Sequence, residues 1–119
     1  MKEIRGTLVL ETLEEIADPK HTALLVIDVQ NDNASSKGIL ASKGIDISSI
    51  RETIPRIKMV LEEARRLGLL VIFTRMTKSR DGSHESGPRL RLIEKSMHTR
   101  GAVEYEMEGT WGNEVLDEL

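Results

Sequence analysis

The stretch "TALLVIDVQNDN", residues 22–33, decides the reading of the chain. Its apolar run fits a strand buried on both faces in a parallel sheet. The run meets a carboxylate at Asp28, and Gln30, Asn31, Asp32 and Asn33 follow almost at once. An unpaired charge at the end of a buried strand is expensive. Asp28 therefore either caps the following loop by accepting backbone N–H groups or serves a site. Both readings stand at this point.

Outward from that strand, residues 30–47 are rich in Gly, Ser and Asn and read as a long loop. Loops of that length after a buried strand are more often functional than filler. "SSIRETIPRIKMVLEEARRLG", residues 48–68, follows as an amphipathic helix. Ile50, Ile54, Ile57, Leu61, Ala64 and Leu67 recur at steps of three and four and mark its apolar face. Ser49 with Glu52 has capping-box spacing, and Gly68 sits where a helix-terminating glycine belongs. Pro55 either kinks the helix or marks its first turn. "LLVIFTR", residues 69–75, is a second buried strand, which completes a βαβ unit with parallel strands.

The remaining segments are less regular. "TLEEIADP", residues 12–19, reads as a short helix with a Thr12–Glu15 capping box, stopped by Pro19. Residues 76–100 are polar, with "SRDGSHESGP" as a loop, and "GTWGNEVLDEL", residues 109–119, reads as the start of a helix capped by Thr110. The expected organisation is one incomplete domain, with an N-terminal arm and short helix over 1–21 and the start of the domain proper over 22–119. The architecture is α/β with a parallel sheet. Ligands of such sheets bind outside the carboxyl ends of the strands, where Asp28, Thr74 and Arg75 fall.

Composition narrows the function classes. The 119 residues are 39% hydrophobic and 31% charged, with 17 basic and 20 acidic side chains and a net charge of −3. The charges are well mixed, which gives no support to a nucleic-acid or anionic-membrane surface. The apolar runs are too short to span a bilayer. The N-terminus lacks the apolar core of a signal peptide, so a cytoplasmic setting is expected. No cysteine is present, which excludes disulfides, cysteine-based zinc sites and any cysteine nucleophile on these residues. "DVQNDN" contains no glycine-rich phosphate cradle, which argues against a nucleotide-binding βαβ unit.

Four segments in order resemble the isochorismatase-like cysteine hydrolases, a group that includes nicotinamidase, carbamoylsarcosine amidase, ureidoacrylate amidohydrolase and biuret hydrolase. They are "HTALLVIDVQND" (21–32), "GIDIS" (44–48), "ARRLGLLVIFTR" (64–75) and "EGTWGNEVLDEL" (108–119). The resemblance implies a three-layer, Rossmann-like α/β sandwich, of which this is the N-terminal part, and an Asp–Lys–Cys triad. Asp28 matches the triad aspartate. In that chemistry the carboxylate takes the thiol proton, the lysine helps hold the thiolate, and the thiolate attacks an amide or ureido carbonyl. The family's lysine and cysteine lie on later parts of the domain. Lys58 and Lys78 do not occupy the lysine's place and read as solvated surface charges.

The resemblance also shapes the other expectations. Nicotinamidases carry an Asp-x-His metal pair after the second strand. Met76 and Lys78 stand at the matching positions and would not ligate a divalent cation, while His21, His84 and His98 read as surface histidines. No metal and no cofactor are expected, and the ureido and carbamoyl amide hydrolases are the nearest relatives. Asn33 stands where many relatives place Phe or Tyr. Gln30 and Asn31 either bind substrate or tie down the loop. Arg75 either pairs with a substrate carboxylate or bridges to a neighbouring acid. Trp111 either covers the site or packs a helix start.

The leading expectation is the N-terminal part of a hydrolase acting on a small amide or ureido substrate. It would be inactive until completed by the missing C-terminal part, and a homo-oligomer or association with that part is expected. The alternative is a non-catalytic homologue that acts through association.

Overall fold

The computed structural model describes residues 1–100, 104 and 106–119, with the side chains of residues 93 and 96–100 outside the description. A hairpin comes first: β1 (Lys2–Ile4) and β2 (Thr7–Val9) pair antiparallel, with Ile4 opposite Thr7. Arg5 and Gly6 turn it at φ 51° and 81°, the left-handed pair that two-residue hairpin turns favour. The sequence reading did not anticipate these strands. Next, α1 (Leu13–Ile16) carries the expected capping box. The Glu15 N–H donates to Thr12 Oγ1 at 3.2 Å and the Thr12 N–H donates to Glu15 Oε2 at 3.2 Å. The amino terminus of Met1 also pairs with the Glu15 carboxylate.

The central unit is the expected βαβ. β3 (Ala23–Ile27) and β4 (Leu70–Thr74) run parallel, in register from Ala23 beside Leu70 to Ile27 beside Thr74. Between them the chain forms two one-turn helices, α2 (Asn31–Ala34) and α3 (Ile39–Ser42), and the long helix α4 (Ser48–Arg66). α2 and α3 lie where one long loop was expected. Asn33 closes the first of them, its Oδ1 accepting the Gln30 N–H at 3.2 Å.

Helix α4 differs from expectation at its start. Its first residue is Ser48, and Ser49 does not cap it. Asp46 Oδ1 accepts the Ser48 N–H at 2.9 Å instead, because an Asp two residues upstream makes a local turn at no cost in helix length. Pro55 lies inside the helix. Gly68, at φ 75°, ends it in a Schellman motif, with Leu69 N–H donating to the Ala64 carbonyl and Gly68 N–H to that of Arg65. On the expected apolar face Ile54, Leu61 and Ala64 are buried, while Ile50 and Leu67 are exposed.

The sheet also departs from expectation. Val26 is buried, and Leu24, Val71 and Phe73 are half-buried, on the α4 side. Leu25, Ile27, Leu70 and Ile72 share the other face and stay open, Ile27 at 62% and Leu70 at 63% exposure. Burial on both faces is thus not observed among the described residues: helix covers one face of a two-stranded parallel sheet. The compact core lies beyond the strand ends instead. There Ala34, Ile54 and Leu116 pack with Val29, Ile57 and Leu119.

After β4, α5 (Gly87–Arg100) begins inside the expected loop. Pro88 suits a helix's first turn, where its missing N–H is no loss. The segment at 109–119 is not a long helix. Thr110 caps as expected, its Oγ1 accepting the Asn113 N–H at 3.3 Å, but only a 3-10 turn, Trp111–Asn113, follows. The chain then extends, because Val115 bridges to Gln30 and Leu116 N–H donates to the Val29 carbonyl at 2.9 Å.

Candidate active site

Asp28 ends β3 by turning the backbone into the left-handed region, at φ 55°. Asp tolerates that region better than most residues. The turn is held from three directions. The Asp28 N–H donates to the Thr74 carbonyl at 3.1 Å. Thr74 Oγ1 donates to Asp28 Oδ1 at 2.9 Å, and Asn33 Nδ2 donates to the Asp28 carbonyl at 2.9 Å. The half-buried carboxylate therefore stands at the carboxyl ends of both parallel strands, with a hydroxyl fixing one of its oxygens.

Gln30 and Asn31 are fully buried. Gln30 Nε2 donates to the carbonyls of Met76 at 2.9 Å and Asn113 at 2.8 Å, and its Oε1 accepts the Met76 N–H at 2.7 Å. Asn31 Nδ2 donates to the Trp111 carbonyl at 3.0 Å and to Asp117 Oδ1 at 3.1 Å, while its Oδ1 accepts the Asp117 N–H at 3.1 Å. These amides stitch α2 to the exit of β4 and to the C-terminal segment. Arg75 reaches Glu114 Oε2 at 2.7 Å. Trp111 is partly exposed and donates its indole N–H to Asp117 Oδ2 at 2.8 Å. Thus Asp28, Gln30 and Asn31 share the end of one strand, whereas Arg75 and Trp111 turn to acids of the C-terminal segment.

A group of buried charges adjoins Asp28 through Asn33 and Glu106. Asp32 is buried, and its Oδ2 accepts the Glu106 N–H at 2.7 Å. Gly112 lies directly against that carboxylate: a Cβ there would sit 2.1 Å from Asp32 Cγ. Glu106 is 3% exposed at φ 57°. Its Oε1 accepts Asn33 Nδ2 at 3.0 Å, and its Oε2 has no partner among the described residues. Burial raises the Glu106 pKa, aided by the charges of Asp28 and Asp32 and opposed by the Asn33 hydrogen bond and the Lys78 charge. Lys78 is half-buried, not simply solvated. Burial lowers its pKa, with Glu106 as the main opposing charge.

Sequence reasoning missed Asp32, Lys78 and Glu106 as members of this cluster. Glu104, Glu106 and Glu108 alternate with other residues along a polar stretch, a pattern that reads as solvated charge. Only the neighbouring run "QNDN" signalled that polar groups gather here. Among the described residues, no three His, Asp or Glu side chains are grouped to hold a metal ion, and no helix is long and apolar enough to cross a membrane.

Residues 22–119 match the isochorismatase domain. The chain is 32% identical over 108 residues to the ureidoacrylate amidohydrolase RutB of Agrobacterium fabrum, covering 85% of the chain and 47% of that protein. It is 37% identical over 110 residues to the protein of the same name from Caulobacter segnis, covering 86% and 46%. The chain spans about half the length of the curated relatives it matches.

Proposed function

The chain belongs to the isochorismatase-domain family, and from that premise we propose that it contributes the carboxylate of a thiol-dependent hydrolase for small amide or ureido substrates. One observation carries the reading: Asp28 is held in a left-handed turn at the carboxyl ends of the parallel strands, with Thr74 fixing its Oδ1. In this reading Asp28 accepts the proton of a cysteine thiol, and the thiolate attacks the substrate carbonyl carbon. Collapse of the tetrahedral intermediate breaks the C–N bond. The departing nitrogen takes the proton back from Asp28, and water then hydrolyses the thioester. The cysteine and its lysine come from polypeptide outside these cysteine-free residues.

The completed domain of this reading is a three-layer sandwich. The open face of Leu25, Ile27, Leu70 and Ile72 supports a further covering layer. A groove of about 340 Å³ beside β3, lined by Leu24, Val26, Val29, Ile57 and Val60, supports a further strand along that edge. Residues 22–119 are then the beginning of the catalytic domain and 1–21 its N-terminal arm, in a cytoplasmic protein. Arg75 and Trp111 contact substrate only on leaving Glu114 and Asp117. Gln30 and Asn31 bear on substrate through the loop they anchor. No metal or cofactor enters the reaction.

The test is turnover of ureido and carbamoyl amides by the native protein, its polypeptides read by intact mass under denaturing conditions. Iodoacetamide and Asp28→Asn should each abolish turnover. Turnover by a sample containing only these 119 residues would sink the thiolate mechanism. The absence of cysteine together with the open apolar edge favours one second reading, a non-catalytic homologue acting through association. Inactivity of a preparation whose mass includes the completing polypeptide would select it.

A further inference from the structure

We propose that Glu106 is a positioning residue, which sets the Asn33 amide and through it the backbone of Asp28. The proposal rests on the reading of Asp28 as the site's carboxylate, but its test needs no turnover, so the two can fail separately.

Three observations carry it. A single amide nitrogen, Asn33 Nδ2, donates both to Glu106 Oε1 at 3.0 Å and to the Asp28 carbonyl at 2.9 Å. The Asn33 Oδ1 is occupied by the Gln30 N–H at 3.2 Å, so the amide cannot flip without losing three bonds. Both ends of the link, Asp28 and Glu106, are non-glycine residues in the left-handed region. Such conformations persist where the surroundings over-determine them. The Glu106 backbone is itself pinned. Its N–H donates to Asp32 Oδ2 at 2.7 Å, and its carbonyl accepts the Lys78 N–H at 2.9 Å and Asn113 Nδ2 at 3.2 Å.

Glu106 Oε2 is buried without a partner among the described residues. A carboxylate oxygen in that state is costly, and the cost falls when the carboxyl holds its proton. Asp28 and Asp32 face Glu106 from the end of β3 and from α2, and both favour the neutral acid. Lys78, from the segment after β4, opposes them, as does the Asn33 bond. Burial is the largest influence and raises the pKa. The Asn33 link therefore changes between a neutral and a charge-assisted hydrogen bond as Glu106 titrates, the charged form being the stronger bond.

The experiment is a pH titration of the native protein, 15N-labelled, followed at the Asn33 side-chain amide and at the Val29 backbone nitrogen. The Val29 nitrogen shares the peptide bond whose carbonyl Asn33 holds. Both resonances should shift with one common midpoint above the ordinary glutamate value of 4.5. Glu106→Gln, which keeps the shape of the neutral acid, should remove that component from both. Asn33→Ala should remove it from Val29. Survival of the common component at Val29 in Glu106→Gln, an Asn33 response without one at Val29, or a common midpoint at or below 4.5 overturns the proposal. If Glu106→Gln fails to fold, Asn33→Ala decides the matter, because only the Asn33 link carries the Glu106 component to Val29.

Discussion

At the scale of single residues, the site depends on close approach as much as on charge. Gly112 leaves room for the Asp32 carboxylate, and an added Cβ would come within 2.1 Å of it. Both groups are buried, and the carboxylate is tied to the N–H groups of Glu106 and Ile39, so relief disturbs those bonds. Gly112→Ala should destabilise the chain by about 1–3 kcal/mol, the usual range for overpacking, read from the midpoint of urea unfolding. Glu15 gives a pH signature of a different kind. The Glu11 backbone N–H, followed by the Met1 ammonium and the Thr12 N–H, lowers its pKa from 4.5 to about 2. A carboxyl with a depressed folded-state pKa contributes stability that is present above 4.5 and lost as pH falls toward 2. Comparing wild type with Glu15→Gln by thermal melts should show their difference shrinking across that interval. A constant difference would refute the assignment.

At the scale of elements, the periodic pieces and the capped helix α1 were legible, and α2, α3 and the N-terminal hairpin were not. The α4 face was readable because Ile54, Leu61 and Ala64 repeat with the period of a helix, and β3 and β4 because their apolar runs are bounded by turn residues. α2 was hidden because Gln30, Asn31, Asp32 and Asn33 are loop-formers by propensity. Tertiary hydrogen bonds to Met76, Trp111, Glu106 and Asp117 hold the surrounding segment. The 109–119 segment was misread for a related reason. Its cap is local, but its continuation is decided by pairing with Gln30, 85 residues away in sequence. Asp28 stood out as a candidate because its charge interrupts an apolar run, whereas nothing local distinguishes Glu106 from its acidic neighbours. Within α4, Pro55 removes the N–H that would reach the Arg51 carbonyl. Pro55 is exposed, so Pro55→Ala should stabilise the helix by up to about 3 kcal/mol. A rise in melting temperature would show it, and an unchanged or lower one would mean that the proline is accommodated at no cost.

At the scale of the whole molecule, the radius of gyration is 19.0 Å, whereas a compact domain of this length has about 13–14 Å. Apolar surface on the sheet is arranged in register but not enclosed. The face formed by Leu25, Ile27, Leu70 and Ile72 should therefore make the 119-residue polypeptide self-associate when it is handled alone. Sedimentation velocity should show concentration-dependent species, and the double variant Leu25→Lys, Ile72→Lys should reduce them. If the variant sediments as wild type does, association runs through another surface.

The left-handed backbone at Asp28 also acts as a filter on what can be learned by replacing it. Few side chains sit comfortably at φ 55°, chiefly glycine, asparagine and aspartate. Alanine removes the carboxylate but strains the turn, and glutamate keeps the charge while asking a longer chain to adopt the same conformation. Either result would mix chemistry with geometry. Asparagine alone preserves both the shape of the side chain and its tolerance for the turn, so it is the control against which every other replacement at this position has to be judged.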